Sequence, residues 1–146
     1  MAQARVKWIE GKSMLGVDAN GHATLISFGG EGPGPSPMQL LLLGLGGCSM
    51  ADVISILQKQ RQPLADIQVL LEGQRGEEYP RPWEKIHMHF VVIGDGLDRK
   101  KVERAINLSV EKYCGAHGTL SGVAKITHDF EIRTPDDEAP ASDASA

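Results

Sequence analysis

One stretch limits what this chain can fold into: Ser36-Pro37-Met38-Gln39, followed by LLLLGLGGCSMADVISIL. Ser36 is an N-cap residue, Pro37 suits the first helical position, and Gln39 stands where a capping box needs its amide. No proline follows until Pro63, so these signals predict a helix from Pro37 to about Gln62, roughly 40 Å long. Its first half is apolar nearly all round, through Leu40, Leu41, Leu42, Leu43, Leu45 and Met50. A compact chain buries one stripe of a helix, not every face. A monomer of 146 residues is only about 35–40 Å across, so a second chain is expected to cover the rest. Gly44, Gly46 and Gly47 each cost about 1 kcal/mol relative to alanine inside a helix. Close approach of another backbone beside Cys48 is the expected compensation. Ser49, Asp52 and Ser55 interrupt the apolar run, which argues against a membrane span.

Strand signals flank this helix. Residues 4–10, 14–17 and 22–28 read as three short strands, joined by a turn at Gly11-Lys12-Ser13 and by Asp18-Ala19-Asn20-Gly21, whose Asn-Gly suits a tight hairpin. The Gly/Pro-rich segment 29–35 has neither phosphate-loop spacing and reads as a connector. After Pro63, residues 67–75 and 83–93 alternate as strands around a loop at Gly76 to Pro82. Asp98 caps a second helix with Val102, Ala105, Ile106 and Tyr113 at helical spacing, ending at Cys114 with Gly115 as a left-handed cap. Residues 123–132 form a last strand. The fold class expected is α+β, with antiparallel sheets around two central helices in one domain, 1–133. The acidic tail, 134–146, is expected to be disordered.

Composition excludes several functions. There are 15 Lys+Arg against 19 Asp+Glu and a net charge of −4, with no basic block, so neither nucleic acid nor an anionic membrane is an expected partner. Two Trp, two Tyr and three Phe are too few for a base-stacking platform. The opening MAQARVKWIEGK lacks the apolar core of a secretory signal, and a cytoplasmic location is expected.

The chemistry-bearing candidates are two cysteines. Cys48 and Cys114 are too few for a disulfide scaffold and too far apart for a Cys-x-x-Cys motif. They are small core thiols, a metal pair, or a redox pair, the last of which requires a thiolate and a partner sulfur within reach. Cys48 lies too deep in its helix to feel the N-terminal dipole, and Cys114 sits at a helix end of the wrong sign. A redox role therefore needs a cation from elsewhere in the fold.

The segments GPSPMQLLLLGLGGCSMADVISIL, VERAINLSVEKYC and ITHDFEI resemble the OsmC/Ohr-like family, most closely its Gly-Gly-Cys branch. The likeness runs over about residues 2–133. It implies an intertwined homodimer burying its central helices. It also implies reduction of organic hydroperoxides, with Cys48 as the attacking and Cys114 as the resolving cysteine, re-reduced by a lipoyl-type dithiol without any bound cofactor. Peroxidase members carry a Glu after the helix-start Pro and an Arg in the N-terminal hairpin, which hold each other beside the thiolate. Here Met38 occupies the Glu position and Lys12 lies near the Arg position. A lysine without that carboxylate is expected to be mobile, and it lacks the planar fork of an arginine. The alternative function is a dimeric binding module that holds a small apolar ligand near Cys48, with non-catalytic thiols.

Three other groups read more blandly. His87 and His89 share one face of a strand, alternating with Ile86, Met88 and Phe90; that face is expected to meet solvent rather than to chelate a metal. Cys114 and His117 have Cys-x-x-His spacing but no second motif pair, and no metal site is assigned. Glu77-Glu78 reads as a solvated loop tip.

Overall fold

The computed structural model describes residues 1–137, which divide into two compact units, one over 1–44 and one from residue 45 onward. In the first unit, β1 (Arg5–Glu10), β2 (Ser13–Val17) and β3 (Ala23–Ser27) form an antiparallel meander in sequence order. Gly21 takes the left-handed backbone (φ +86) that the Asn-Gly turn demands. The connector is not slack. The Gly34 amide donates to Ser27 Oγ at 3.0 Å, and a Cβ at Gly34 would lie 2.7 Å from the Leu25 carbonyl oxygen, so only glycine fits there. Every residue of β1 is exposed, with Val6 at 60% and Trp8 at 67%. A strand carrying a Trp and a Val on open faces is an unfinished core within one chain.

Helix α1 runs Pro37–Lys59. Ser36 Oγ accepts from the Gln39 amide at 3.2 Å, as the capping signal requires. The helix stops three residues earlier than its sequence predicts. Arg61 adopts φ +55, and the Gln62 amide donates to the Leu57 carbonyl at 2.9 Å, which turns the chain out before Pro63 is reached. Leu45, Ser49, Val53 and Leu57 form its buried stripe, while Leu41 and Leu43 remain 43% and 57% exposed. Although α1 is long and apolar enough to cross a membrane, this buried stripe makes it a core helix. Gly46 answers a close approach, since a Cβ there would meet Leu71 Cδ1 at 2.7 Å. The neighbour is a strand side chain, not the second backbone expected. A Cβ at Gly44 or Gly47 would meet nothing within 4 Å beyond the helix itself among the described residues.

The second sheet, in the order β4-β5-β6, comprises β4 (Asp66–Arg75), β5 (Trp83–Ile93) and β6 (Lys125–Arg133). The inner face of β5 supplies the core: Ile86, Met88, Phe90 and Val92 are shielded, as are Val102, Ala105 and Ile106 of α2 (Arg99–Leu108). The expected antiparallel arrangement is corrected at β6, which runs parallel to β5, with His87 opposite Thr127 and Phe90 opposite Phe130. The reason is the helical crossover from Gly94 to Ala124. It carries the chain back along the sheet before the last strand begins, as parallel pairing requires. Asp98 caps α2 as expected, accepting from the Lys100 and Lys101 amides. The helix then widens into a π turn, Ser109–Tyr113, and after Cys114 a short helix α3 runs Gly115–Leu120. Gly115 is therefore the first residue of α3 rather than a left-handed cap.

Thr134 to Asp137 close a turn, with the Asp137 amide donating to the Thr134 carbonyl at 3.0 Å. The remainder of the tail expected to be disordered, 138–146, lies outside the described residues.

Candidate active site

The π turn places the second cysteine. Its defining hydrogen bond runs from the Cys114 amide to the Ser109 carbonyl, 2.8 Å, spanning five residues instead of four. Such single-turn widenings inside helices are frequent at functional sites. Here it swings Cys114 out of helical geometry (φ −73, ψ 103) and turns its sulfur toward α1. The Ser49 hydroxyl donates to Cys114 Sγ at 3.3 Å, in the protein interior. The His117 amide donates to the same sulfur, also at 3.3 Å. Ser109 secures the other side of α1. Its hydroxyl lies 2.9 Å from Asp52 Oδ2 and 3.3 Å from the Ser49 carbonyl oxygen.

Residues 65 positions apart thus meet around one sulfur. Burial is the largest influence on the Cys114 thiol and pushes its pKa up; the bonds from Ser49 and His117 pull it down, and the neighbouring Cys48 pushes it up again through a hydrogen bond and its charge. Cys114 is 5% exposed, whereas Cys48 is half-buried, and both are free thiols. The access of Cys48 comes from its neighbours Gly44 and Gly47, which are exposed on the helix. Burial lowers the His117 pKa, with the nearby His128 as a smaller influence in the same direction.

Lys12 belongs to the N-terminal unit. Contrary to the expectation of a mobile ammonium, its Nζ lies 3.1 Å from Glu31 Oε2. Position 38 holds no carboxylate, and the folded connector brings one from seven residues earlier.

The outer face of the second sheet carries a continuous chain of polar side chains. His87 Nδ1 is 2.7 Å from Thr127 Oγ1, and its Nε2 is 3.0 Å from Asp129 Oδ1. His89 Nδ1 is 2.7 Å from the same Asp129 oxygen, and its Nε2 is 3.1 Å from Glu131 Oε1. Arg133 closes the series at 2.8 Å from Glu131. The two histidines do alternate with the buried Ile86, Met88 and Phe90, as expected. Among the described residues no group of three His, Cys, Asp or Glu side chains is placed to hold a metal ion. Of these partners, Ser49 had a legible signal, a hydroxyl on the apolar stripe four residues from both Leu45 and Val53. Glu31, Asp129 and Glu131 had none.

A model of OsmC-like proteins matches residues 29–129, across both cysteines and all the elements that position them. The chain belongs to the OsmC-like family. It is 46% identical to Protein YhfA of Escherichia coli (strain K12) over 130 residues, covering 89% of this chain and 97% of that one. Among solved structures, a hypothetical protein from Aquifex aeolicus VF5 is 29% identical with a TM-score of 0.83, covering 93% of this chain and 98% of that one. The organic hydroperoxide resistance protein OhrB of Bacillus subtilis shares the fold, with a TM-score of 0.61 at 18% identity, covering 90% of this chain and 98% of its own. This OsmC-like chain thus has the family architecture of two three-stranded sheets and helices. The family includes hydroperoxide resistance proteins.

Proposed function

We propose that this OsmC-like protein reduces organic hydroperoxides through a two-cysteine cycle in a reducing cytoplasm. The Cys48 thiolate attacks the outer peroxide oxygen, the O–O bond breaks, and the alkoxide leaves and takes up a proton as the alcohol. Cys48 is left as a sulfenic acid. Cys114 then attacks that sulfur, forming the disulfide and releasing water. The single observation carrying this reading is the pairing of a half-open Cys48 with a buried, doubly hydrogen-bonded Cys114. A solely structural pair of core cysteines needs neither the difference in access nor a buried serine hydroxyl directed at the sulfur.

The candidate for the cation this chemistry needs is Lys12, a role that rests on the family resemblance, and its ammonium pairs with Glu31. The catalytic form is a homodimer. What supports this is apolar surface that one chain leaves open: Val6 and Trp8 on β1, and Leu41 and Leu43 on α1. The reading is tested by stopped-flow oxidation of the reduced protein with cumene hydroperoxide and with hydrogen peroxide. Fast oxidation, preferring the organic peroxide and abolished in Cys48→Ser, is expected. A rate no faster than that of a free thiol refutes it.

A further inference from the structure

Ser49 is a polar residue in a place made for an apolar one. It is fully shielded, on the stripe of α1 that also buries Leu45 and Val53. Alanine would satisfy the helix and the core better, since a buried hydroxyl must find a partner. The partners available to this hydroxyl are sulfurs: Cys114 Sγ at 3.3 Å and Met88 Sδ at 4.0 Å. A neutral thiol or thioether is a weak acceptor, whereas a thiolate is a strong one. The same Cys114 sulfur caps α3, accepting from the His117 amide three residues on. Two fixed donors on one buried sulfur are an arrangement for a negative charge that appears there transiently. At rest, burial keeps Cys114 in its protonated form.

We propose that Ser49, together with the His117 amide, is a leaving-group site that receives the Cys114 thiolate when the Cys48–Cys114 disulfide is reduced, and so directs the reductant to Cys48. This rests on the two-cysteine reading above. A small dithiol is the co-reactant. One of its thiols loses its proton to solvent and attacks Cys48 Sγ. The Cys48–Cys114 bond breaks, and its electron pair leaves on Cys114, which accepts hydrogen bonds from Ser49 Oγ and the His117 amide. The second dithiol sulfur, also deprotonated, then attacks the mixed disulfide and expels Cys48. The dithiol ends as its own disulfide. The protein gains two electrons, and its two thiols take up the two protons lost. Exchange is faster when the leaving thiol is better stabilised and when the attacked sulfur is accessible. The half-buried Cys48 and the shielded Cys114 divide those two roles.

The test begins from disulfide made with diamide, so that it does not depend on peroxide chemistry. Reduction by dithiothreitol is followed by rapid acid quench and mass spectrometry. Ser49→Ala is expected to slow reduction about ten- to a hundredfold, the loss of one hydrogen bond to a charged group. Ser49→Thr, which keeps the hydroxyl, is expected to recover most of the rate. In a Cys48→Ser background, Ser49→Ala is expected to move the pH midpoint of Cys114 alkylation upward. A monothiol added to the oxidised wild-type protein is expected to be trapped on Cys48. Unchanged reduction in Ser49→Ala, or a wild-type adduct on Cys114, overturns the proposal. The second of these decides even if the alanine variant does not fold. Failure of diamide to join Cys48 to Cys114 overturns the two-cysteine reading itself and is seen before any Ser49 variant is made.

Discussion

His89 has both ring nitrogens against carboxylate oxygens, Asp129 at 2.7 Å and Glu131 at 3.1 Å. A neutral imidazole carries one N–H and satisfies one of them; only the imidazolium donates to both. The hydrogen bond that His89 donates to Asp129 is the largest influence raising the His89 pKa, with Glu131 adding to it against some burial. The same contacts lower Asp129 and Glu131, with the His89 bond first in each case. A raised histidine contributes stability that is fully present below its unfolded value of about 6.5 and lost as pH rises through its folded value. The depressed carboxylates contribute stability that is present above their unfolded values of about 4 and lost as pH falls through their folded values. The ladder is therefore strongest near pH 5–6. Asp129→Asn removes the carboxylate shared by both histidines. Its side chain is 60% exposed, so each pair is held to the surface range, about 0.2–1 kcal/mol, and the two together to about 1 kcal/mol. At this chain length that lowers Tm by about 2–4 °C. Differential scanning calorimetry at pH 5.5 and pH 8.5 is the assay. The deficit of Asp129→Asn relative to wild type is expected to be near its full value at pH 5.5 and to shrink by at least half at pH 8.5. A deficit that is equal at both values, or larger at pH 8.5, refutes an imidazolium between the two carboxylates.

Two further outcomes follow from the open faces and the N-terminal pair. Gly47→Ala meets nothing within 4 Å beyond its own helix among the described residues and gains about 1 kcal/mol of helix propensity; in the proposed dimer it is nevertheless expected to weaken association, measured by light scattering across a dilution series, and a higher Tm with unchanged mass contradicts a second copy packing on that face. Glu31→Gln removes the charge beside Lys12 Nζ and is expected to slow hydroperoxide reduction several-fold, with Lys12→Ala slower still; equal rates in all three proteins remove Lys12 from the mechanism.

Signals that act over a few residues were legible in the sequence. Ser36 and Asp98 cap their helices because a short side-chain oxygen reaches amides two or three residues on, wherever the rest of the chain goes. The Asn20-Gly21 turn and the alternation of β5 are of the same kind, and the family motif around Cys48 pointed to the cysteine pair. The excess of apolar surface on α1 was legible too, since residue types alone fix how much must be covered. Tertiary structure decided the rest. Strand direction at β6 depends on where the 31-residue crossover from Gly94 to Ala124 delivers the chain. The π turn that aims Cys114 at Ser49 is a single inserted residue in a helix whose periodicity looks regular until it packs. The partners Glu31 for Lys12 and Asp129 for His87 and His89 are distant in sequence and short in space, and a charge or hydroxyl chooses its partner only after backbone topology has set which side chains are within about 3 Å.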